Sequence, residues 1–316
     1  MKILLTGGSG MVGRNILDYA RTHGAAYEFY APSSGELNLL DRASTENYML
    51  KHRPDLVVHC AGRVGGIQAN ISNPVAFLID NLDMARNILG AAHKARITKV
   101  LNMGTSCMYP RDAENPLKEE LVLKGELEPT NEGYAIAKVF AAKYASYIHR
   151  ENNDLKYKTL IPCNLYGRHD NFDPLSSHMI PAVIHKVHVA MKTGQASVEI
   201  WGDGTARREF MDAYDLADFV FFALKNFDQV PELINVGLGF DYSINEYYQT
   251  VAKVLGYKGT FTHNLNKPVG MKRKLVSVER SAALGWKAKT SLEEGIRRAY
   301  EFYLNLHLEK KGEQNV

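Results

Sequence analysis

The chain has 316 residues, 45% of them hydrophobic and 23% charged, with a formal charge of +3. That length suits one large domain or two coupled ones, and so even a charge balance excludes a basic nucleic-acid-binding stripe. No apolar run reaches membrane-spanning length, and the odd set Cys60, Cys107 and Cys163 reads as free thiols in a reducing compartment, so a cytoplasmic protein without a signal peptide is expected.

In chain order, residues 2–6 form an apolar strand that runs into Gly7-Gly8-Ser9-Gly10-Met11-Val12-Gly13. Residues 14–23 follow with Ile16, Leu17 and Ala20 at helical spacing. Strand, glycine loop and helix is the context in which a backbone cradles a pyrophosphate, with free N–H groups and a positive dipole end supplied by the helix. A second strand at 27–31 ends in Pro32-Ser33-Ser34-Gly35, with no acidic residue before Glu36. NAD-preferring domains place a carboxylate on the adenosine ribose here, whereas small hydroxyl side chains leave room for a 2′-phosphate, so NADP is favoured. A solvated loop with no part in cofactor choice is the alternative.

The third strand, 55–60, leads into Ala61-Gly62-Arg63-Val64-Gly65-Gly66. A helix over 81–94 presents Ala85, Ile88, Leu89 and Ala92, and a strand over 97–103 delivers Met103-Gly104-Thr105-Ser106-Cys107 to the same sheet edge. Tyr134 and Lys138 lie four apart on a helix reaching about residue 148, hence on one face. An ammonium there can favour a tyrosinate, and a nearby hydroxyl can share the proton or bind a carbonyl oxygen. A strand over 159–167 brings Pro162, Cys163, Asn164 and Leu165 to the ligand edge. Beyond a polar stretch at 169–178 come a helix at 180–191, a strand and turn at 198–204, a helix at 215–225, a strand at 234–237 and a helix at 244–256. Residues 309–316 read as a polar tail. The alternation predicts an α/β chain: a Rossmann-type doubly wound parallel sheet with a smaller, interleaved C-terminal substrate-binding domain. Residues 1–166 form the dinucleotide-binding part, with returning segments near 210–255, and 167–316 mainly the substrate part.

Seven segments carry a resemblance: 7–13, 61–69, 104–110, 127–138, 164–172, 178–181 and 201–210. Through them the chain resembles the extended short-chain dehydrogenase/reductases, and within these the GDP-L-fucose synthase family of epimerase/reductases. The resemblance implies an NADP(H) enzyme that epimerises a GDP-4-keto-6-deoxy sugar at C3 and C5 and then reduces C4. It implies Tyr134 as the general acid at the C4 oxygen, and Lys138 as the group that lowers the tyrosine's pKa and holds the nicotinamide ribose. Thr105 stands where the family usually has Ser. Cys107 and His178 match its epimerisation pair. For each of these two taken alone, an inert thiol and a packing histidine are the plain alternatives.

The cofactor set implied is the first glycine loop from Gly7 to Gly13, then Ser33, Ser34, Ala61 and Gly62. Met103, Gly104 and Ser106 join it, with Pro162, Cys163, Asn164 and Leu165 from the later strand. Lys186, Trp201 and Arg208 fall on substrate positions, and Lys274 is a further candidate for the diphosphate. No metal site is expected, and the family implies a homodimer through a helix bundle. Ser9 and Ser34 replace two arginines that grip the 2′-phosphate in the family, and Lys186 replaces a substrate-side arginine. The two serines leave NADPH against NADH open, and the substrate-side change leaves open a C4-reductase of a related GDP-4-keto sugar, such as a dideoxyhexose or heptose, with epimerisation reduced or lost. A silent nucleotide-sugar or NADP sensor is the reading from another class.

Overall fold

A computed structural model describes residues 1–24, 26–173, 176–267 and 269–313. The chain begins β1 (Lys2–Thr6), α1 (Met11–His23), β2 (Glu28–Tyr30), α2 (Arg42–His52), β3 (Leu56–His59), α3 (Ile67–Ser72), α4 (Pro74–Lys94), β4 (Lys99–Met103), α5 (Glu132–Glu151) and β5 (Lys156–Pro162). It continues β6 (Asn164–Tyr166), α6 (Met179–Thr193), β7 (Ser197–Trp201), β8 (Arg207–Arg208), β9 (Phe210–Asp212), α7 (Ala213–Lys225) and β10 (Leu233–Val236). It ends β11 (Tyr242–Ser243), α8 (Ile244–Leu255), β12 (Thr260–Asn264), β13 (Arg273–Lys274), α9 (Glu279–Ala283) and α10 (Leu292–Glu313).

Six strands form one parallel sheet in the order β10-β5-β4-β3-β1-β2. Alternate residues of its strands serve different cores. Ile3, Leu5, Leu56, Val58 and Leu101 pack with α1 and α7, whereas Leu4, Val57 and Val100 pack with α2, α4 and α5. Both faces are covered, which is why these strands read as continuous apolar runs rather than alternating ones. The chain leaves β1 toward β2 on one side and returns to β3 on the other, so a crevice opens between the carboxyl ends of β1 and β3. A separate core joins Ile180, Ile184 and Val187 of α6 to Tyr247 and Val251 of α8 and to Ile296 and Tyr303 of α10. The small sheets β7–β12 and β11-β8-β13 belong to this half of the sequence.

Several elements differ from the sequence expectation. The helix predicted over 81–94 starts at Pro74, because proline fits the first helical position and exposed Val75 and Ile79 break the apolar stripe upstream. The strand expected over 159–167 is two strands. At Cys163 the chain still bonds to Val236, after which β6 leaves the main sheet to pair with β9. α2 buries little besides Thr45 and Met49, so its periodicity is weak, and Asp41 caps it by accepting from the Ser44 amide. The polar tail expected from residue 309 is helical to Glu313; residues 314–316 lie outside the described residues.

One buried network anchors the segment after β4. Tyr109 Oη donates to Asn235 Oδ1 at 2.6 Å, Asn235 Nδ2 donates to the Leu117 carbonyl at 2.9 Å, and the Asn235 amide donates to Glu119 Oε1 at 2.9 Å. Tyr109→Phe keeps the ring and orphans the Asn235 oxygen, so a loss of about 1–3 kcal/mol is expected in urea unfolding. An unchanged midpoint and slope would show that this hydroxyl does not anchor the segment.

Candidate active site

The first glycine loop is shaped for close approach. Gly7 sits at φ +72°, and a Cβ on it would lie 2.6 Å from the Ala61 nitrogen. A Cβ on Gly13 would lie 2.2 Å from the Gly7 carbonyl oxygen. No side chain caps the first turn of α1, whose N–H groups face outward with the dipole behind them. This cradle, at the switch point of the sheet, fits a pyrophosphate. Ser9, Met11 and Val12 line its accessible side, while Gly8 is buried against Ala31. Ser33 and Ser34 are exposed after β2, where the Ser33 amide and hydroxyl both donate to the Glu36 carboxylate at 2.8 Å. Glu36 therefore closes this loop on itself.

The second glycine loop is set by Asn81, which the sequence did not single out. Its Oδ1 accepts from the Arg63 amide at 2.9 Å and its Nδ2 donates to the Arg63 carbonyl at 3.0 Å. A Cβ on Gly62 would lie 2.9 Å from Asn81 Oδ1 and 3.6 Å from Lys138 Nζ, so the bare glycine leaves space beside the ammonium. Lys138 is buried on α5, donates to the Met103 carbonyl at 2.8 Å, and stands 5.8 Å from the Tyr134 ring centre. Burial brings its pKa down to about 8, with Cys60 opposing the drop. His59, bonded to the Thr6 hydroxyl at 2.7 Å, is kept neutral, lowered to about 3 by burial and by the Lys138 charge. Burial, reinforced by Cys107, raises the pKa of Tyr134, and a hydrogen bond with Thr105 opposes that rise. Tyr134 thus holds its proton in the free enzyme, as an acid rather than a tyrosinate.

Thr105 also begins the short turn Ser106–Met108, its Oγ1 accepting from the Cys107 amide at 3.4 Å. That turn aims the Cys107 sulfur at two donors, Asn131 Nδ2 at 3.2 Å and Lys274 Nζ at 3.3 Å. Lys274, expected at a diphosphate, therefore touches Cys107. Asn131 lies within the 127–138 segment. Gly104 is pinned by its amide to the Leu160 carbonyl at 2.7 Å, and Ser106 is buried beneath the turn. His178 is the N-cap residue of α6, and burial lowers its pKa, which leaves a neutral imidazole. Its loop reaches the second glycine loop, where the Gly66 amide donates to the Ser176 carbonyl at 3.3 Å. Among the described residues no hydrogen bond joins Cys107 to His178 directly.

Pro162 ends β5 and Leu165 packs on the main core; Cys163 is buried, its thiol pushed well up by burial, which leaves it inert. Asn164 Nδ2 donates to the Glu209 carbonyl at 3.0 Å. Trp201 is 43% exposed, with Lys186 Nζ 5.4 Å from its ring centre and Lys267 Nζ 5.3 Å away. No sequence signal pointed to Lys267. Arg208 donates to the Arg207 and Val269 carbonyls at 2.8 and 3.0 Å, which fixes its guanidinium plane. Among the described residues no cluster of three or more His, Cys, Asp or Glu could hold a metal.

The model of the NAD dependent epimerase/dehydratase family matches residues 3–237. The chain belongs to this family. Within it, the chain is 55% identical over 305 residues to a GDP-L-colitose synthase of Yersinia pseudotuberculosis, covering 96% of this chain and 98% of that one. It is 49% identical to a GDP-L-fucose synthase of Azorhizobium caulinodans, covering 96% of each. A solved GDP-mannoheptose C4 reductase from Campylobacter jejuni, with NADP bound, superposes with a TM-score of 0.87 at 28% identity, covering 96% of this chain and 98% of that one. A GDP-6-OMe-4-keto-L-xylo-heptose reductase from the same species superposes with a TM-score of 0.90 at 27% identity, over the same shares. Family membership accounts for the parallel sheet and the glycine cradle together. No helix among the described residues is long and apolar enough to cross a membrane.

Lys138 supplies a pH prediction for this family member. In the free enzyme its ammonium is present below pH about 8 and lost above it. kcat/KM with NADPH varied, which reports the free enzyme, is expected to fall as pH rises through about 8. A flat profile to pH about 10 would remove Lys138 from the binding step.

Proposed function

We propose that the protein is an NADP-dependent epimerase/reductase of a GDP-4-keto-6-deoxy sugar, epimerising C3 and C5 and then reducing C4. The observation that carries this reading is that Thr105 bonds both with Tyr134 and with the Cys107 amide, beside Lys138. NADPH, when bound, supplies the hydride. Residues 7–13, 33–34 and 61–62, with Met103, Gly104 and Ser106 and residues 162–165, form the cofactor side, within a dinucleotide-binding part at residues 1–166. Residues 167–316 are mainly the substrate part, with segments near 210–255 returning to the main sheet. Lys138 holds the nicotinamide ribose, and Tyr134 donates its proton to the C4 oxygen as the carbonyl is reduced. A C4 ketone acidifies the neighbouring C–H bonds, and the enolate oxygen falls on the same Thr105 and Tyr134 hydroxyls that stabilise the reduction. Cys107 and His178 exchange the protons at C3 and C5. Lys186, Trp201 and Arg208 hold the GDP moiety, Arg208 through its fixed planar fork.

A second reading is C4 reduction of a related GDP-4-keto sugar, such as a dideoxyhexose or heptose, with epimerisation reduced or lost; the similarity to the Yersinia GDP-L-colitose synthase and to the Campylobacter GDP-heptose reductases supports it. Turnover of a panel of GDP-4-keto sugars in heavy water separates the two. Deuterium at both C3 and C5 supports the first reading, and deuterium at neither leaves a reductase alone. No NADPH consumption with any member of the panel would leave a sensor. The protein acts in the cytoplasm as a homodimer, a reading supported by its three free cysteines and by exposed Val75, Ile79 and Ile136 on the packed pair α4 and α5.

A further inference from the structure

Lys274 reaches Cys107 from 167 residues along the chain. β13 pairs parallel with β8, with Arg273 opposite Arg207 and Lys274 opposite Arg208. Successive residues of a strand point to opposite faces. Arg207 Nε and Arg273 Nε both donate to the buried Asp241 carboxylate, at 2.6 and 2.5 Å. Lys274 is thereby turned the other way, toward the Cys107 sulfur.

The ammonium it brings is unusual in its surroundings. Lys274 is 9% exposed, and among the described residues it makes no ion pair with a carboxylate. A buried cation is costly unless an anion or good acceptors compensate it. A neutral thiol is a poor acceptor, whereas a thiolate is both an anion and the form of cysteine that acts as a base. Asn131 Nδ2, at 3.2 Å, is a second donor to the same sulfur.

We propose that Lys274 is a positioning residue, which together with Asn131 holds Cys107 as the thiolate that removes a substrate proton. This rests on the epimerase reading above. In the step, the C–H bond beside the C4 ketone breaks and an S–H bond forms at Cys107. The electron pair passes into the enolate, with its charge on the C4 oxygen facing Thr105 and Tyr134.

The test is alkylation of Cys107 by iodoacetamide at pH 7 in the full-length, substrate-free protein, followed by peptide mass spectrometry. Lys274→Met keeps the aliphatic stem and removes the charge. Alkylation is expected to slow about ten-fold, with deuterium uptake into the GDP-4-keto sugar slowed in parallel. Lys274→Arg restores alkylation to within about three-fold of the parent. Asn131→Asp, which sets a carboxylate against the same sulfur, also slows it, and this variant carries the test should Lys274→Met not fold. Wild-type alkylation in Lys274→Met, with KM for the GDP-sugar raised, overturns the proposal and makes Lys274 a diphosphate contact only. Alkylation needs no sugar, so slower alkylation in Lys274→Met beside a wild-type protein that takes up no deuterium overturns the epimerase reading and not the thiolate.

Discussion

Tyr134→Phe is expected to lower the rate of C4 reduction by about 10³-fold or more, read as NADPH oxidation in single turnover on a pre-epimerised sugar. The hydroxyl is hydrogen-bonded with Thr105 and lies near Cys107, and burial favours its neutral form. A ring without the hydroxyl keeps the edge-on contact with Phe77, so folding and NADPH binding should be retained. Deuterium uptake should fall less, by about 10- to 100-fold, because Thr105 still offers one donor to the enolate oxygen. Reduction within ten-fold of the parent would assign the proton to another group. Thr105→Ser, which keeps the hydroxyl, is the control that separates loss of the donor from loss of packing.

The second large effect is expected at Cys107. Cys107→Ser should reduce deuterium uptake at C3 and C5 by about 10²-fold or more, since an alcohol in this setting is a far weaker base than a thiolate. Reduction of a pre-epimerised sugar should stay within about ten-fold, because Tyr134, Thr105 and Lys138 remain. The split between the two readouts is what counts. If exchange persists in the serine variant, the base lies elsewhere, and His178, neutral through burial, is the next group to test with His178→Asn. If both readouts fall together, Cys107 shapes the turn between Thr105 and Met108 rather than acting as base.

The two assignments differ in how legible they were. Tyr134 and Lys138 sit four residues apart on one helix, so local geometry alone puts them on one face. Gly7, Gly10 and Gly13 stand between a strand and a helix, and the close approaches that forbid a Cβ at Gly7 and Gly13 follow from that local turn. Their placement could be read before any fold existed. Lys274 could not. Its contact with Cys107 depends on the β8–β13 register and on the clasp of Arg207 and Arg273 on Asp241, three segments with no sequence proximity to the turn at 105–108. The family resemblance suggested Lys274 for a diphosphate, and the fold brings its ammonium to the Cys107 sulfur. Asn81 and Lys267 were hidden for a similar reason, since each acts on a loop or ring that only tertiary packing brings near. α10 is hard to read from the sequence although Ile296, Ala299 and Tyr303 follow a helical spacing, because polar residues between them mask the stripe.

Periodicity and local turn chemistry by themselves determined the parallel α/β architecture, the phosphate cradle and the Tyr134–Lys138 pair. These depend on interactions within a few residues or on a repeat in hydrophobicity, and both are written directly in the chain. Only the tertiary structure decided that Tyr134 keeps its proton, that Glu36 closes the Ser33 loop, and that Lys274 and Asn131 converge on Cys107. Burial and long-range strand register set the charge state of a side chain, and neither quantity exists until the distant segments have packed.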